Sequence, residues 1–243
     1  MFTPTRLTLA RKKRGLSKKE LASLAGVTTQ SLCNFESKVV KEIPSEKTLE
    51  KLAQILEFPI TFFSKEEVKF IHTDSASFRA LTKMTASQRD VALASGNLAF
   101  EVNQWVENNF KLPIHELPDL RDKSPEAAAI EMRQRWLLGE KPICNMIHLL
   151  ESKGIRVYFI AEDYKNVDAF SVWDENTPFI LLNTFKSSER SRFDAAHELG
   201  HLVLHKHGVP RSKKAEQDAN SFAAEFLMPK TNILAQAPKT PDF

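Results

Sequence analysis

Cysteine is nearly absent from this chain: 243 residues include two, Cys33 and Cys144. They fall in segments that read as separate domains, and neither has a second cysteine nearby. A disulfide framework and a zinc–thiolate site are both excluded on that count, and two reduced thiols are expected. Long apolar runs are missing as well. No stretch approaches bilayer-spanning length and the N-terminus lacks the apolar core of a signal peptide, so the expected location is the cytoplasm, with no membrane partner. Internal repeats and low-complexity tracts are lacking. Histidine is sparse at 7 residues, which gives weight to any regular spacing among them. What remains, 42% hydrophobic and 27% charged, is the composition of an ordinary globular protein with room for one large domain or two modest ones.

Charge is unevenly spread. Residues 1–51 hold 11 Lys/Arg against 5 Asp/Glu, a surplus of +6, so the rest carries −3 of the net +3. A basic front on a mildly acidic rear implies that only the front meets a polyanion.

Two short helices joined by a tight turn are read from Ser17 to Glu36. Ser17 and Glu20 make a Ser-x-x-Glu capping box, and Leu16, Leu21 and Leu24 form the inward stripe. Gly26 sits where the chain must leave one helix sharply, a place for positive φ. Thr28 caps the next helix, whose Leu32 and Phe35 face inward and whose Thr29, Gln30, Ser31 and Asn34 face out. A further helix spans Lys47 to Leu56, capped by Ser45 after Pro44. The outward amides and hydroxyls, flanked by Arg11, Lys12, Lys13, Arg14, Lys18 and Lys19, suit DNA: amides read base edges while cations neutralise phosphates. A small helical bundle that binds protein is the alternative. The run RKKRGLSKKELASLAGVTTQSLCNFE resembles the helix-turn-helix of the XRE and lambdoid phage-repressor family over about residues 6 to 60. The resemblance implies that Thr29, Gln30 and Asn34 face bases, that Lys18 lies near a phosphate, and that Thr28 and Ser31 belong to the same DNA-binding element. Such modules act as dimers on palindromic operators, so a homodimer on double-stranded DNA is expected.

Pro59 breaks the chain near the end of this first domain, and Ser64 to Ser77 reads as an irregular connector. Ser87 to Phe110 reads as one long helix with an apolar stripe of Val91, Leu98, Val102, Trp105 and Val106, suited to a core or a dimer interface. Ser124-Pro125 opens a helix expected to run to Leu138 and to close at Gly139. Pro142 to Ser152 fits another, with His148 a core or surface residue. Ile155–Ile160, Ala169–Trp173 and Phe179–Leu182 read as strands, with turns at Asp163-Tyr164 and over 175–178. Helical spacing returns from Ser188 to about His205, and Ser212 caps a last helix reaching Pro229.

The sharpest feature lies on the first of those two helices: His197-Glu198-Leu199-Gly200-His201. Histidines four apart point from one helical face and can share a zinc ion. The intervening Glu198 is placed to take a proton from an attacking water. Two histidines meeting by accident on a solvated helix is the bland alternative. A catalytic zinc takes a third protein ligand and leaves one position open. Candidates are Glu216, Asp218, Glu225, His205 and His207. Glu216 lies in the first turns of the last helix, where antiparallel packing brings it toward His197 and His201. Glu225, about two and a half turns further on, cannot share that position. His205 continues the i, i+4 series, but one straight helix cannot wrap three ligands round one tetrahedral ion, so it is read as a residue behind the ligands or simply buried.

The runs SERSRFDAAHELGHLVLH and EQDANSFAAEFLMP resemble the ImmA/IrrE family of zinc metallo-endopeptidases, in particular the subgroup with an XRE-type domain at its own N-terminus. The resemblance extends over nearly the whole chain, including the DAFSVW and PFILLN strands. It implies that Glu216, four residues before Asn220, completes the metal site. It also implies cleavage of a helix-turn-helix repressor, releasing repression under DNA damage or another stress. Zinc is the expected ion, and manganese or iron also suit two histidines and one carboxylate. Tyr158, Tyr164 and His207 are candidates for the oxyanion donor. The rival reading is a DNA-binding repressor or antitoxin whose zinc domain is structural or sensory and cuts nothing. The expected fold is mainly α with a small β-sheet (α+β). It comprises an all-α helix-turn-helix domain at 1–63, a helical connector at 64–122 and an α+β minimal zinc-peptidase domain at 123–243.

Overall fold

The computed structural model describes residues 2–40, 42–71, 85–160, 169–183, 185–205 and 212–236. They divide into two compact units, one drawn from Met1–Ile71 with Met84–Val102 and the other from Asn103–Phe243. The stretch read as a connector is therefore shared between them. No helix among the described residues is long and apolar enough to cross a membrane.

The first unit is helical. Helices α1 (Pro4–Lys13), α2 (Lys18–Ala25), α3 (Thr29–Phe35) and α4 (Glu46–Leu56) are followed by a 3-10 turn at Ile60–Ser64. Both halves of the capping box form: Ser17 Oγ accepts from the Glu20 backbone N–H at 3.2 Å, and Glu20 Oε2 accepts from the Ser17 N–H at 2.7 Å. Gly26 closes α2 at φ 70°, where any Cβ is strained, and Thr28 and Ser45 cap α3 and α4. Leu7, Leu21, Leu32, Leu52, Leu56 and Phe63 make the core.

Helix α1 escapes a periodicity search because its buried face is not apolar. Thr5, Arg6 and Arg11 are buried there beside Leu7 and Leu9. Each polar group finds a partner. Thr5 Oγ1 accepts from the Val68 N–H at 3.0 Å, Arg6 pairs with Glu101, and Arg11 Nε donates to Glu36 Oε1 at 2.6 Å. Arg11 is thus a bolt between α1 and α3 rather than a phosphate contact. Helix α5 (Ala86–Asn109) keeps only the first part of its expected stripe covered. Val91 is buried, whereas Val102 and Trp105 are exposed.

The second unit holds α6 (Pro125–Arg135), α7 (Met146–Ser152), β1 (Arg156–Ile160), β2 (Phe170–Asp174), β3 (Thr177–Asn183), α8 (Ser188–Leu204), α9 (Lys213–Leu227) and α10 (Lys230–Gln236). Helix α6 ends short of Leu138 because Leu137 takes φ 56°. The Leu138 and Leu137 N–H groups fold back to the carbonyls of Arg133 and Gln134, closing the helix without waiting for Gly139. Helix α7 begins later than Pro142, where Asn145 Oδ1 accepts from the His148 N–H at 3.1 Å. His148 is exposed.

The sheet has the order β1-β3-β2, with β3 parallel to β1 and antiparallel to β2. The β2–β3 turn is tighter than the expected four residues: Glu175 adopts φ 50°, Asp174 faces Thr177, and Pro178 already pairs with Trp173. Central β3 is buried from Pro178 to Asn183, the mark of a strand covered on both faces. The turn expected at Asp163-Tyr164 lies outside the described residues.

Helices α8 and α9 pack closely because Gly200 has no side chain. A Cβ there would stand 2.9 Å from Phe222 Cδ1 and 3.1 Å from its Cγ. The Phe222 ring is fully buried and stacked on Phe226 at 5.5 Å, so it has nowhere to move. Gly200→Ala is therefore expected to destabilise the protein by about 1–3 kcal/mol through overpacking. Urea unfolding checks this: an unchanged midpoint would show that α9 can retreat at no cost.

Candidate metal centre

Three candidate donors converge where α8 and α9 meet. Helix α8 places His197 and His201 on one face, one turn apart, and α9 brings Glu216 opposite them. The His197 and His201 Nε2 atoms are 3.0 Å apart, and Glu216 carboxylate oxygens lie 3.6 Å from the first and 3.4 Å from the second. Donors about 2.0–2.1 Å from a tetrahedral zinc are about 3.3 Å from one another. With one atom taken from each residue, the three donors lie within 4.8 Å of one another, near enough to share one ion.

The outer ring nitrogens fix which atoms face inward. His197 Nδ1 lies 3.0 Å from Asn220 Oδ1, an atom that can only accept, so Nδ1 carries the proton and Nε2 keeps its lone pair. His201 Nδ1 lies 2.9 Å from His205 Nδ1, a contact that can protonate Nδ1 in the same way. With both Nδ1 atoms protonated and both rings neutral, three acceptors would face one another, an arrangement that a cation or a proton reconciles.

Burial works to raise the Glu216 carboxyl, but hydrogen bonds and charge from His197 and His201 outweigh it and hold the group well below the usual carboxylate range. Burial works to lower His197, and Glu216 and Glu198 outweigh it, so that imidazole is shifted upward. Glu216 is thus ionised at neutral pH, the form that ligates.

His201 is 1% exposed and Glu216 7%, while the His197 side chain reaches solvent. Among the described residues no fourth His, Cys, Asp or Glu joins the cluster.

Glu198 is 3% exposed, and the Ser171 hydroxyl donates to its Oε2 at 2.7 Å. Ser171 was not singled out in the sequence. Its signal is faint, a lone hydroxyl in the otherwise apolar stretch Ala169–Trp173. Of the other ligand candidates, His205 sits behind His201 and Glu225 accepts from the Lys230 N–H at 3.2 Å. Asp218 is outside the donor cluster. Tyr158 stands on β1, separated from β2 by β3, with its ring stacked on Phe179. Tyr164 and His207 lie outside the described residues.

In the first unit, α3 carries Thr29 and Gln30 exposed and Ser31 and Asn34 half-buried. Thr28 Oγ1 accepts from the Ser31 N–H at 3.0 Å, and Gln30 Nε2 donates to Asn34 Oδ1 at 3.0 Å. Lys18 Nζ is 3.4 Å from Glu36 Oε2 and remains partly exposed. Lys12 pairs with Asp90 at 2.9 Å.

Comparison with known families agrees with both regions. Residues 150–243 match the IrrE N-terminal-like domain of peptidase family M78. Residues 5–65 match a helix-turn-helix domain family. No curated protein matches the chain. One polypeptide thus joins a helix-turn-helix DNA-binding domain to an IrrE N-terminal-like domain of the M78 peptidases, the make-up of a regulator with a protease-like domain.

Proposed function

We propose that this protein is a transcriptional regulator whose second domain is a zinc-dependent endopeptidase, and that it cleaves a helix-turn-helix repressor, in trans or within itself, to relieve repression under stress. In this reading DNA binding resides in residues 1–63, residues 64–122 connect, and hydrolysis resides in 123–243. It works in the cytoplasm, as a homodimer matched to the two-fold symmetry of a palindromic operator. The observation that carries the reading is the three-donor cluster with Glu198 beside it.

His197, His201 and Glu216 would hold the ion, which when bound supplies Lewis-acid activation of water and of the scissile carbonyl. Zinc suits the donor set best, and manganese or iron can occupy the same set. Asn220 and His205 keep the two imidazoles turned inward. The Glu198 carboxylate accepts a proton as water oxygen bonds to the carbonyl carbon, then hands it to the amide nitrogen as the C–N bond breaks. The Ser171 hydroxyl holds that carboxylate in place. Beyond β2 no further strand is paired among the described residues, so its edge can hold an extended peptide along the site. Zinc-loaded and zinc-free protein, incubated with candidate repressors and read by intact mass, tests this. A zinc-dependent pair of fragments supports it, and intact partners throughout would leave a regulator that cuts nothing.

For the DNA-binding domain, α3 with Thr28, Thr29, Gln30, Ser31 and Asn34 is the reader, and Lys18 neutralises a phosphate. The double variant Gln30→Ala, Asn34→Ala is expected to weaken operator binding by about 1–3 kcal/mol per lost base contact. Zinc content should not change. Footprinting that shows an unaltered sequence preference would remove α3 from this role.

A further inference from the structure

The two amides on the outer face of α3 are wired in series to a carboxylate. Asn34 Nδ2 donates to Glu42 Oε2 at 2.6 Å, and Asn34 Oδ1 accepts from Gln30 Nε2 at 3.0 Å. Elementary chemistry sets the direction of this chain. An ionised carboxylate only accepts, so Asn34 must turn its nitrogen to Glu42. Its oxygen is then left for Gln30, and only an N–H can meet it. One carboxylate thereby orients two amides, either of which could otherwise be turned end for end.

With one Nε2 proton given to Asn34, Gln30 still has its second Nε2 proton and its carbonyl oxygen to offer. A donor next to an acceptor complements the N7 acceptor and N6 donor that adenine shows in the major groove. Glu42 lies outside α3, in the exposed segment ahead of the α4 cap Ser45. On a face that meets phosphates its negative charge opposes binding. A group that lowers affinity while orienting a reader acts on specificity.

We propose that Glu42 is a positioning residue for sequence readout: through Asn34 it sets the Gln30 amide and imposes adenine at one base pair of the operator. This rests on the reading of α3 as the DNA-contacting helix. The test uses the full chain as wild type, Gln30→Ala and Glu42→Gln, each selected against a library of random DNA duplexes. Each is then titrated with the wild-type consensus duplex and with a scrambled one. Gln30→Ala identifies the base pair that Gln30 reads.

Glu42→Gln, whose own amide can turn either way, is expected to lose adenine preference at that same pair by about 3- to 10-fold. Its binding to the scrambled duplex should hold or tighten, because a negative charge has gone. Adenine preference undiminished in Glu42→Gln overturns the inference. A change at a different base pair does so too, since Glu42 would then read a base itself. An unaltered consensus in Gln30→Ala, or a uniform loss of affinity together with a lower melting temperature in Glu42→Gln, also overturns it. A wild-type protein that selects no sequence overturns the DNA-binding reading itself.

Discussion

Glu198→Gln is expected to lower peptide hydrolysis by about 10²–10⁴-fold, the usual worth of a general acid–base group, while the protein keeps its full complement of zinc. The expectation follows from what the substitution changes and what it leaves. Glutamine matches glutamate in size and can still meet the Ser171 hydroxyl, which lies 2.7 Å from the native carboxylate. It cannot take up a proton at neutral pH. His197, His201 and Glu216 are untouched, so metal content measured on the purified variant should equal that of the wild type. Cleavage of the repressor at a near-normal rate would remove Glu198 from the chemistry. Loss of zinc together with activity would show instead that Glu198 supports the metal site.

Glu216→Ala is expected to have the opposite signature, with the metal lost and hydrolysis lost with it. Among the described residues the carboxylate is one of three donors in the cluster, and its oxygens stand 3.4 and 3.6 Å from the two Nε2 atoms. Loss of a residue that merely orients a ligand costs about 10–100-fold in metal affinity, and loss of the ligand itself should exceed about 100-fold. Competition with a zinc chelator measures the change. Circular dichroism separates it from unfolding, because the core around Leu199, Phe222 and Phe226 is left in place. A variant that retains wild-type zinc affinity would show that the third ligand lies elsewhere.

Much of this candidate site is legible in the sequence. The two histidines and Glu198 follow from helical spacing alone, and the cap at Ser212 gives α9 its starting point. Glu216 was one of five candidates on residue type. Its meeting with His197 and His201 depends on how closely α9 approaches, and that is decided by Gly200 against Phe222. Spacing does not encode such a contact.

The same limit hid Ser171, a single hydroxyl whose partner lies 27 residues away. Helix α1 was illegible for a different reason. Its buried face uses Arg6 and Arg11, whose cost is offset by Glu101 and Glu36, so no apolar period appears. The end of α6 was misplaced because Leu137 adopts the left-handed conformation two residues ahead of the glycine expected to stop the helix. Tertiary partners decide the first two cases, whereas α6 is closed by its own backbone.

X-ray absorption at the zinc edge of the full, zinc-loaded chain tests most directly whether these residues form one hydrolytic centre. The expected result is a single ion per chain with two imidazole nitrogens at about 2.0–2.1 Å, the remaining sites being oxygen. The oxygen signal should include the Glu216 carboxylate, and it should change in Glu216→Ala while the wild-type pattern persists in Glu198→Gln. A sulfur ligand, a third imidazole in the first coordination sphere, or a spectrum indifferent to Glu216→Ala would contradict the centre described.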